Sequence, residues 1–260
     1  MNTSCLHRTK PVRRNALWHA LFLAALCLFA VAPVALATSS YSYKPDECVV
    51  VPHGLSPDGR FIIAAHGGVD ETDTAKFHIY LMDAREQKKI GVLEEVSVWL
   101  DTGADAYPAA WSPDSRYVAV SFRWERNAWD LVVYTIEKGR AIAISGSELL
   151  DAAAPGFSAK GFKTRIFMPG SDQGPVERYA SQGTRLTLKW LRGTRFELSE
   201  RTFYKYVTPN PSAALGKFAK CEKMGEDNKY LVEFSAVAVC EMAGKNKYRI
   251  VSIKPGAFKD

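Results

Sequence analysis

The sequence predicts an all-β fold, a stack of roughly four or five four-stranded antiparallel sheets. Three observations carry that expectation. The stretch Leu55–His66 reads LSPDGRFIIAAH, and 111–122 repeats it as WSPDSRYVAVSF. Each copy is followed by a second β-type run, FHIYLMD at 77–83 and LVVYTI at 131–136. Each of those runs is followed by a polar turn and a further short apolar run, 90–93 in one copy and 141–145 in the other.

The corner between the first and second strands of each unit has explicit turn chemistry. In Ser56-Pro57-Asp58-Gly59 and Ser112-Pro113-Asp114-Ser115, proline sets φ at the first central position. Aspartate can accept from the backbone that follows it, and glycine tolerates positive φ. The strand after each corner, Phe61–Ala65 or Tyr117–Ser121, is apolar on both faces. Cover on both sides is therefore expected. Each unit reads strand, corner, strand, loop, strand, turn, strand.

Two weaker copies are predicted further on. Ser181–Arg185 precedes LTLKW, with a partner strand at Arg195–Ser199 across Arg192-Gly193. Gly225–Lys229 precedes YLVEF, with a partner at Tyr248–Ile253. Residues 38–156 thus hold two clear units, and 157–260 holds degenerate units or a separate small β-rich domain. Glu47–Val51, ECVVV, is expected to supply a closing strand to the last unit, because an uncovered edge invites aggregation.

SPDGRFIIAAH…IYLMD and AWSPDSRYVAVSF…LVVYTI resemble the β-propeller repeat of the TolB type, which is widespread in exported bacterial proteins. The resemblance covers roughly a third of the chain and implies propeller blades. It also implies a protein-binding platform or the non-catalytic half of a peptidase. It assigns Ser56, Pro57, Asp58, Ser112, Pro113 and Asp114 to the structural corner and to no active site. Propellers of this type commonly have six or more blades, and this chain has room for about four or five.

The N-terminus reads as an export signal over 1–37. Arg8, Lys10, Arg13 and Arg14 precede an apolar run over 16–37, which closes on Ala35-Leu36-Ala37. Cleavage after Ala37 and a periplasmic or secreted location are expected, with no membrane span in the mature chain. An uncleaved anchor helix is the alternative. The mature chain keeps 30 basic and 28 acidic residues, a net charge of about +2. It carries no concentrated basic stripe, so nucleic acid is not an expected partner.

Cys48, Cys221 and Cys240 remain after cleavage. An oxidising compartment permits one bond among three cysteines, with Cys221–Cys240 the first expectation and a bond from Cys48 the second. Neither a metal nor a cofactor is expected. His53, His66 and His78 lack ligand spacing, and Asp70, Glu71 and Asp73 lack the order of a calcium loop. There is no Gly-x-Ser-x-Gly elbow, and Glu94-Glu95 are neighbours that point apart in a strand, so no catalytic set is expected.

Trp124 and Trp129 bracket a loop that also holds Arg126, with Arg123 beside it. Exposed aromatics next to arginine make good anchors, so these four residues are the expected binding site. A similar aromatic and basic run lies at Arg201–Val207. The function expected is that of an exported, non-catalytic binding protein with a protein or peptide partner in the envelope. An inhibitor or immunity-like protein for an envelope enzyme or toxin is one alternative, and the accessory propeller of a hydrolase is another.

Overall fold

The computed structural model describes residues 40–68, 74–97, 100–125, 128–146, 149–153, 165–166, 176–178, 184–207, 216–224, 229–244 and 246–257. The chain separates into Met1–Ala37 and Thr38–Asp260, and every described residue belongs to the second unit. The expected export signal lies outside the described residues. Among those residues, no helix is long and apolar enough to cross a membrane.

The fold is all-β, with three antiparallel sheets. The first holds β1 (Val49–Leu55), β2 (Phe61–His66), β3 (His78–Asp83) and β4 (Lys88–Val92), hydrogen-bonded in chain order. The second repeats this order with β5 (Ala109–Trp111), β6 (Tyr117–Glu125), β7 (Ala128–Glu137) and β8 (Arg140–Ile144). Both match the strand–corner–strand–loop–strand–turn–strand unit predicted from the repeat.

The corners close as their residues dictate. Ser56 N–H donates to the Phe61 carbonyl at 2.9 Å, and Ser56 Oγ donates to Asp58 Oδ1 at 2.7 Å. Ser112 does the same toward Tyr117 at 2.8 Å and Asp114 at 2.7 Å. Gly59 takes φ +68°, and in the second corner Ser115 takes φ +58°. A serine is strained there, but its hydroxyl accepts from Asp58 N–H at 3.1 Å and ties the two corners together.

After β8 come a short helix α1 (Leu149–Ala153), β9 (Arg165–Ile166), β10 (Val176–Arg178), β11 (Thr184–Trp190), β12 (Arg195–Val207), β13 (Ala219–Met224), β14 (Lys229–Met242) and β15 (Tyr248–Pro255). Long β12 and β14 pair from Arg195↔Glu241 to Val207↔Lys229 and form the spine of the third sheet. β11 and β10 share one flank of that spine, and β13 and β15 share the other. The third sheet meets the second where Thr184 pairs with Ala128.

Several expectations need correction. The two weaker units predicted after residue 157 are strands of one sheet. Their starts at 181–183 and 225–228 lie outside the described residues, but both predicted strand pairs form: β11 with β12 across a corner at Leu191–Thr194 that holds the predicted Arg192-Gly193 turn, Gly193 at φ +62°, and β14 with β15. Three sheets replace the expected four or five, and no closed ring forms among the described residues. The ECVVV segment feeds the first strand of the first sheet, where Val49 pairs with Ala65, and closes nothing.

The expected disulfides are also absent: Cys48, Cys221 and Cys240 all carry thiols. Cys221 lies opposite Val232, whereas Cys240 lies opposite Phe196 and Ile250. That is a run of roughly 26 Å along β14, far beyond the ~7 Å Cα separation a disulfide can bridge.

Three apolar clusters hold the sheets together. Ile63, Ala65, Ile79 and Leu81 from the first sheet meet Val118, Val120, Phe122 and Tyr134 from the second. Tyr117, Ala119 and Val133, on the second sheet's other face, meet Leu188, Trp190 and Tyr248 from the third. Phe196, Leu198, Phe234 and Cys240 form the third sheet's own core beneath α1 residue Leu149. Full burial of each large aliphatic or aromatic side chain contributes about 1.5–3 kcal/mol.

Candidate functional site

One packing device occurs at both junctions between sheets. At the first, Trp111 Nε1–H donates to the Gly54 carbonyl at 3.0 Å, and the indole stacks on Phe61 at 6.5 Å and 13°. At the second, Trp190 Nε1–H donates to the Ala110 carbonyl at 2.8 Å, and the indole stacks on Tyr117 at 5.8 Å and 22°. Gly54 and Ala110 both stand two positions before a corner serine. Glycine is required at 54, where a Cβ would sit 2.5 Å from the Ile63 carbonyl.

Each tryptophan immediately precedes a corner. At the Leu191 corner, Leu191 N–H donates to the Arg195 carbonyl at 2.9 Å, as Ser56 and Ser112 donate to Phe61 and Tyr117. Two further positions of the device are thereby defined. Leu55 stands where Trp111 and Trp190 stand, and Arg195 stands where Phe61 and Tyr117 stand. The device therefore runs out at both ends of the stack, in different ways.

At the third-sheet end it runs out in charge. Arg195 Nε donates to Glu241 Oε1 at 3.2 Å, and Arg249 Nη2 donates to Glu241 Oε2 at 3.2 Å. On the same face, Arg201 pairs with Glu233 at 2.6 Å and lies 5.0 Å over the Phe203 ring. The aromatic and basic run at Arg201–Val207 is thus a polar outer face as far as its side chains are described.

At the first-sheet end it runs out in apolar surface. Register and alternation place Val50, Ala64 and Tyr80 in one row and Leu55, Ile62 and Met82 in another, on the face opposite the core. Val50 is 50% exposed and Leu55 is 56% exposed. A cavity of about 490 Å³ opens on this face over Val50, Ile62, Ala64 and Met82. Asp46, Cys48, Lys88 and Lys89 line its rim. Lys89 Nζ lies 4.4 Å over the Tyr80 ring.

Burial shifts two groups on this face toward their neutral forms. Burial pushes the Cys48 thiol up; the Lys89 ammonium offsets part of that shift and Asp46 adds to it. A thiol held protonated at neutral pH is a poor nucleophile. Burial likewise pushes the Tyr80 phenol up. His66 Nδ1–H donates to the Glu47 carbonyl, and His78 meets Tyr80 edge-on at 6.0 Å. Among the described residues, no three His, Cys, Asp or Glu side chains are placed to hold a metal ion. His53 lies on β1, and Asp70, Glu71 and Asp73 lie outside the described residues.

The anchors expected at the Trp124–Trp129 loop are placed differently. Arg123 is 3% exposed, and its guanidinium grips the equally buried Asp101: Nε donates to Oδ2 at 2.8 Å and Nη2 to Oδ1. The planar fork matches the carboxylate and offsets the desolvation of both charges. Tyr107 OH donates to the Asp101 carbonyl and Tyr43 OH to the Thr102 carbonyl, both at 2.7 Å. Arg123 is therefore a bracket between β6 and the segment before β5, not an exposed anchor. Trp124 packs against the core between the first two sheets, and half-buried Trp129 stands opposite Arg123. Arg126 lies outside the described residues.

The first sheet's outer face did leave a signal in the sequence. Phe61–Ala65 is apolar on both faces, which predicts cover on both sides. The second sheet covers one side, and the other side is the floor of the cavity. Compared with known protein families and with curated proteins, the chain matches none.

Proposed function

We propose that this chain is an exported, non-catalytic binding protein that docks a protein partner in the cell envelope on the outer face of its first sheet. The observation that carries the reading is the pair Val50 and Leu55. Both are half exposed beside a cavity with an apolar floor, and Leu55 stands where each later sheet sends a tryptophan into its neighbour. Exposed contiguous apolar surface with a polar rim is the usual character of a protein-docking site. The two repeated sheets and the twice-used tryptophan device favour reading the stack as propeller-type blades of the TolB kind, opened rather than closed. The basic stretch, apolar run and Ala-Leu-Ala end of 1–37 favour export.

The test is a photo-crosslinking residue in place of Leu55, in the full chain and in the cells that export it. A second chain carries the same residue in place of Glu197, on the third sheet's outer face. An adduct from position 55 and none from 197 is expected. Equal adducts from both positions, or no adduct from 55, would overturn the docking reading.

A further inference from the structure

We propose that the outer face of the third sheet is a membrane-docking surface that rests on anionic phospholipid headgroups. This face lies at the other end of the stack from Val50 and Leu55, and its role does not depend on theirs.

Strand register assembles the charge. Residues directly opposite one another in an antiparallel sheet share a face. On the outer face β11 contributes Arg185 and Lys189, β12 contributes Arg195 and Arg201, and β15 contributes Arg249 and Lys254. Glu197, Glu233 and Glu241 share that face, and edge strand β13 adds one charge of each sign, Lys220 and Glu222. Six bases against three acids leave an excess of three positive charges among the described side chains. The chain from Thr38 onward carries only about +2, so this one face holds more positive charge than the whole. No stretch of sequence shows the excess, because its bases come from three strands between 185 and 254.

The bases also stand above the acids. The Arg195 and Arg249 side chains are 52% and 70% exposed over Glu241 at 26%. Arg201 is 24% exposed over Glu233 at 10%. Arg185, Lys189 and Lys254 are exposed as well. The field outside the sheet is therefore positive.

Two features match that field to headgroups. Arg185 lies directly opposite Arg201, a like-charge pair that costs stability and that a phosphate seated between them relieves. The bases are also spread in two dimensions: Arg195 and Arg201 stand about 20 Å apart along β12, and β11 and β15 about 14 Å apart across the sheet. A polymer strand follows a line, whereas a bilayer surface meets the whole face. Nucleic acid would also need rings on which to stack its bases. Phe203 lies under the Arg201 guanidinium at 5.0 Å and presents no open ring face there. Thr187, Ser199 and Ser252 stand between the bases and can donate to phosphate oxygens.

The test is co-sedimentation of the purified exported protein with vesicles of phosphatidylcholine, with and without one-third phosphatidylglycerol. Far-UV circular dichroism checks folding. Wild type is expected to bind the anionic vesicles at low salt, to leave them in about 0.5 M salt, and to ignore pure phosphatidylcholine. One base near an anionic surface is worth about fivefold in partition, so Arg185→Gln with Lys254→Gln is expected to weaken binding about 20-fold. Glu197→Gln is expected to strengthen it about fivefold. Arg85→Gln with Lys138→Gln removes the same net charge from exposed turns of the first and second sheets, and is expected to change nothing.

No binding to the anionic vesicles overturns the proposal, and so does equal binding to both vesicle types. A loss as large from the Arg85 and Lys138 changes would mean that net charge alone is read, and also ends it. Tighter binding to duplex DNA than to the anionic vesicles at the same salt would make the face a polymer site instead. Because a lipid surface yields no protein adduct at position 197, none of these outcomes alters the crosslinking result expected at position 55.

Discussion

The first and third sheets each turn one face away from the shared core, and the two faces differ residue by residue. On the first sheet the outward row runs Val50, Ala64, Tyr80. On the third it runs Arg195, Glu241, Arg249 across β12, β14 and β15. Both rows come from the same period-two alternation. A stack of sheets needs a polar face wherever it stops, because the last unit has no neighbour to bury an apolar one. The third sheet meets that need with an Arg–Glu–Arg row. The first sheet instead presents half-exposed Val50 and Leu55.

The largest expected effects separate charge inside the fold from charge on its end. Arg123 and Asp101 are both buried, so Arg123→Ala leaves a carboxylate without its bidentate partner. The expected loss is about 3–5 kcal/mol in urea unfolding. Arg195 makes the same kind of ion pair with its side chain 52% exposed, and Arg195→Ala is expected to leave the unfolding midpoint unchanged. If the two variants lost equal stability, the third sheet's outer face would be covered and not an end.

Next comes the tryptophan position itself. Trp190→Ala removes a stacked ring and a hydrogen bond to the Ala110 carbonyl, and is expected to cost about 3 kcal/mol. Leu55→Ala, at the matching position of the first sheet, is expected to cost about 0.5 kcal/mol or less when the protein is dilute. The same denaturant titration reads both. A Leu55→Ala loss near that of Trp190→Ala in dilute protein would mean that another part of the same chain covers the face.

How much of this was legible beforehand follows from how local each signal is. The two serine–proline–aspartate corners specify their turns from four adjacent residues, and both four-stranded units could be read from them. The third corner, Leu191–Thr194, has none of those residues. Its local mark is Arg192-Gly193, with Gly193 at φ +62°, which gives the turn between two strands but not the tryptophan-led junction with the second sheet. A search for serine followed by arginine lands instead on Ser181–Arg185. Arg123 looked like a surface anchor because its neighbours are Trp124 and a polar loop. Its true partner, Asp101, reaches it only through tertiary structure. Cys221 and Cys240 are close in sequence, yet strand register carries them apart. The outer face of the first sheet was half legible: its apolar residues were plain, but their lack of a neighbouring sheet was not.

The smallest effect concerns acid. Arg249 and then Arg195, by hydrogen bonding to Glu241, hold its carboxyl below the ordinary value of 4.5. A carboxylate whose folded value lies below its unfolded one stabilises the fold above the unfolded value, and that contribution is lost as pH falls through the folded value. The Glu241 side chain is about 26% exposed and its arginine partners lie at the surface, so water screens much of the effect. The expectation is a shallow loss of midpoint as pH drops below about 4.5, diminished in Glu241→Gln and diminished again by high salt. Because the pH slope of the difference between wild type and Glu241→Gln isolates this one group, the measurement reads the polar end separately from every other carboxylate. An acid slope unchanged by Glu241→Gln would mean that the Arg–Glu–Arg row does not hold together in solution, and the third sheet would then differ from the first in composition alone.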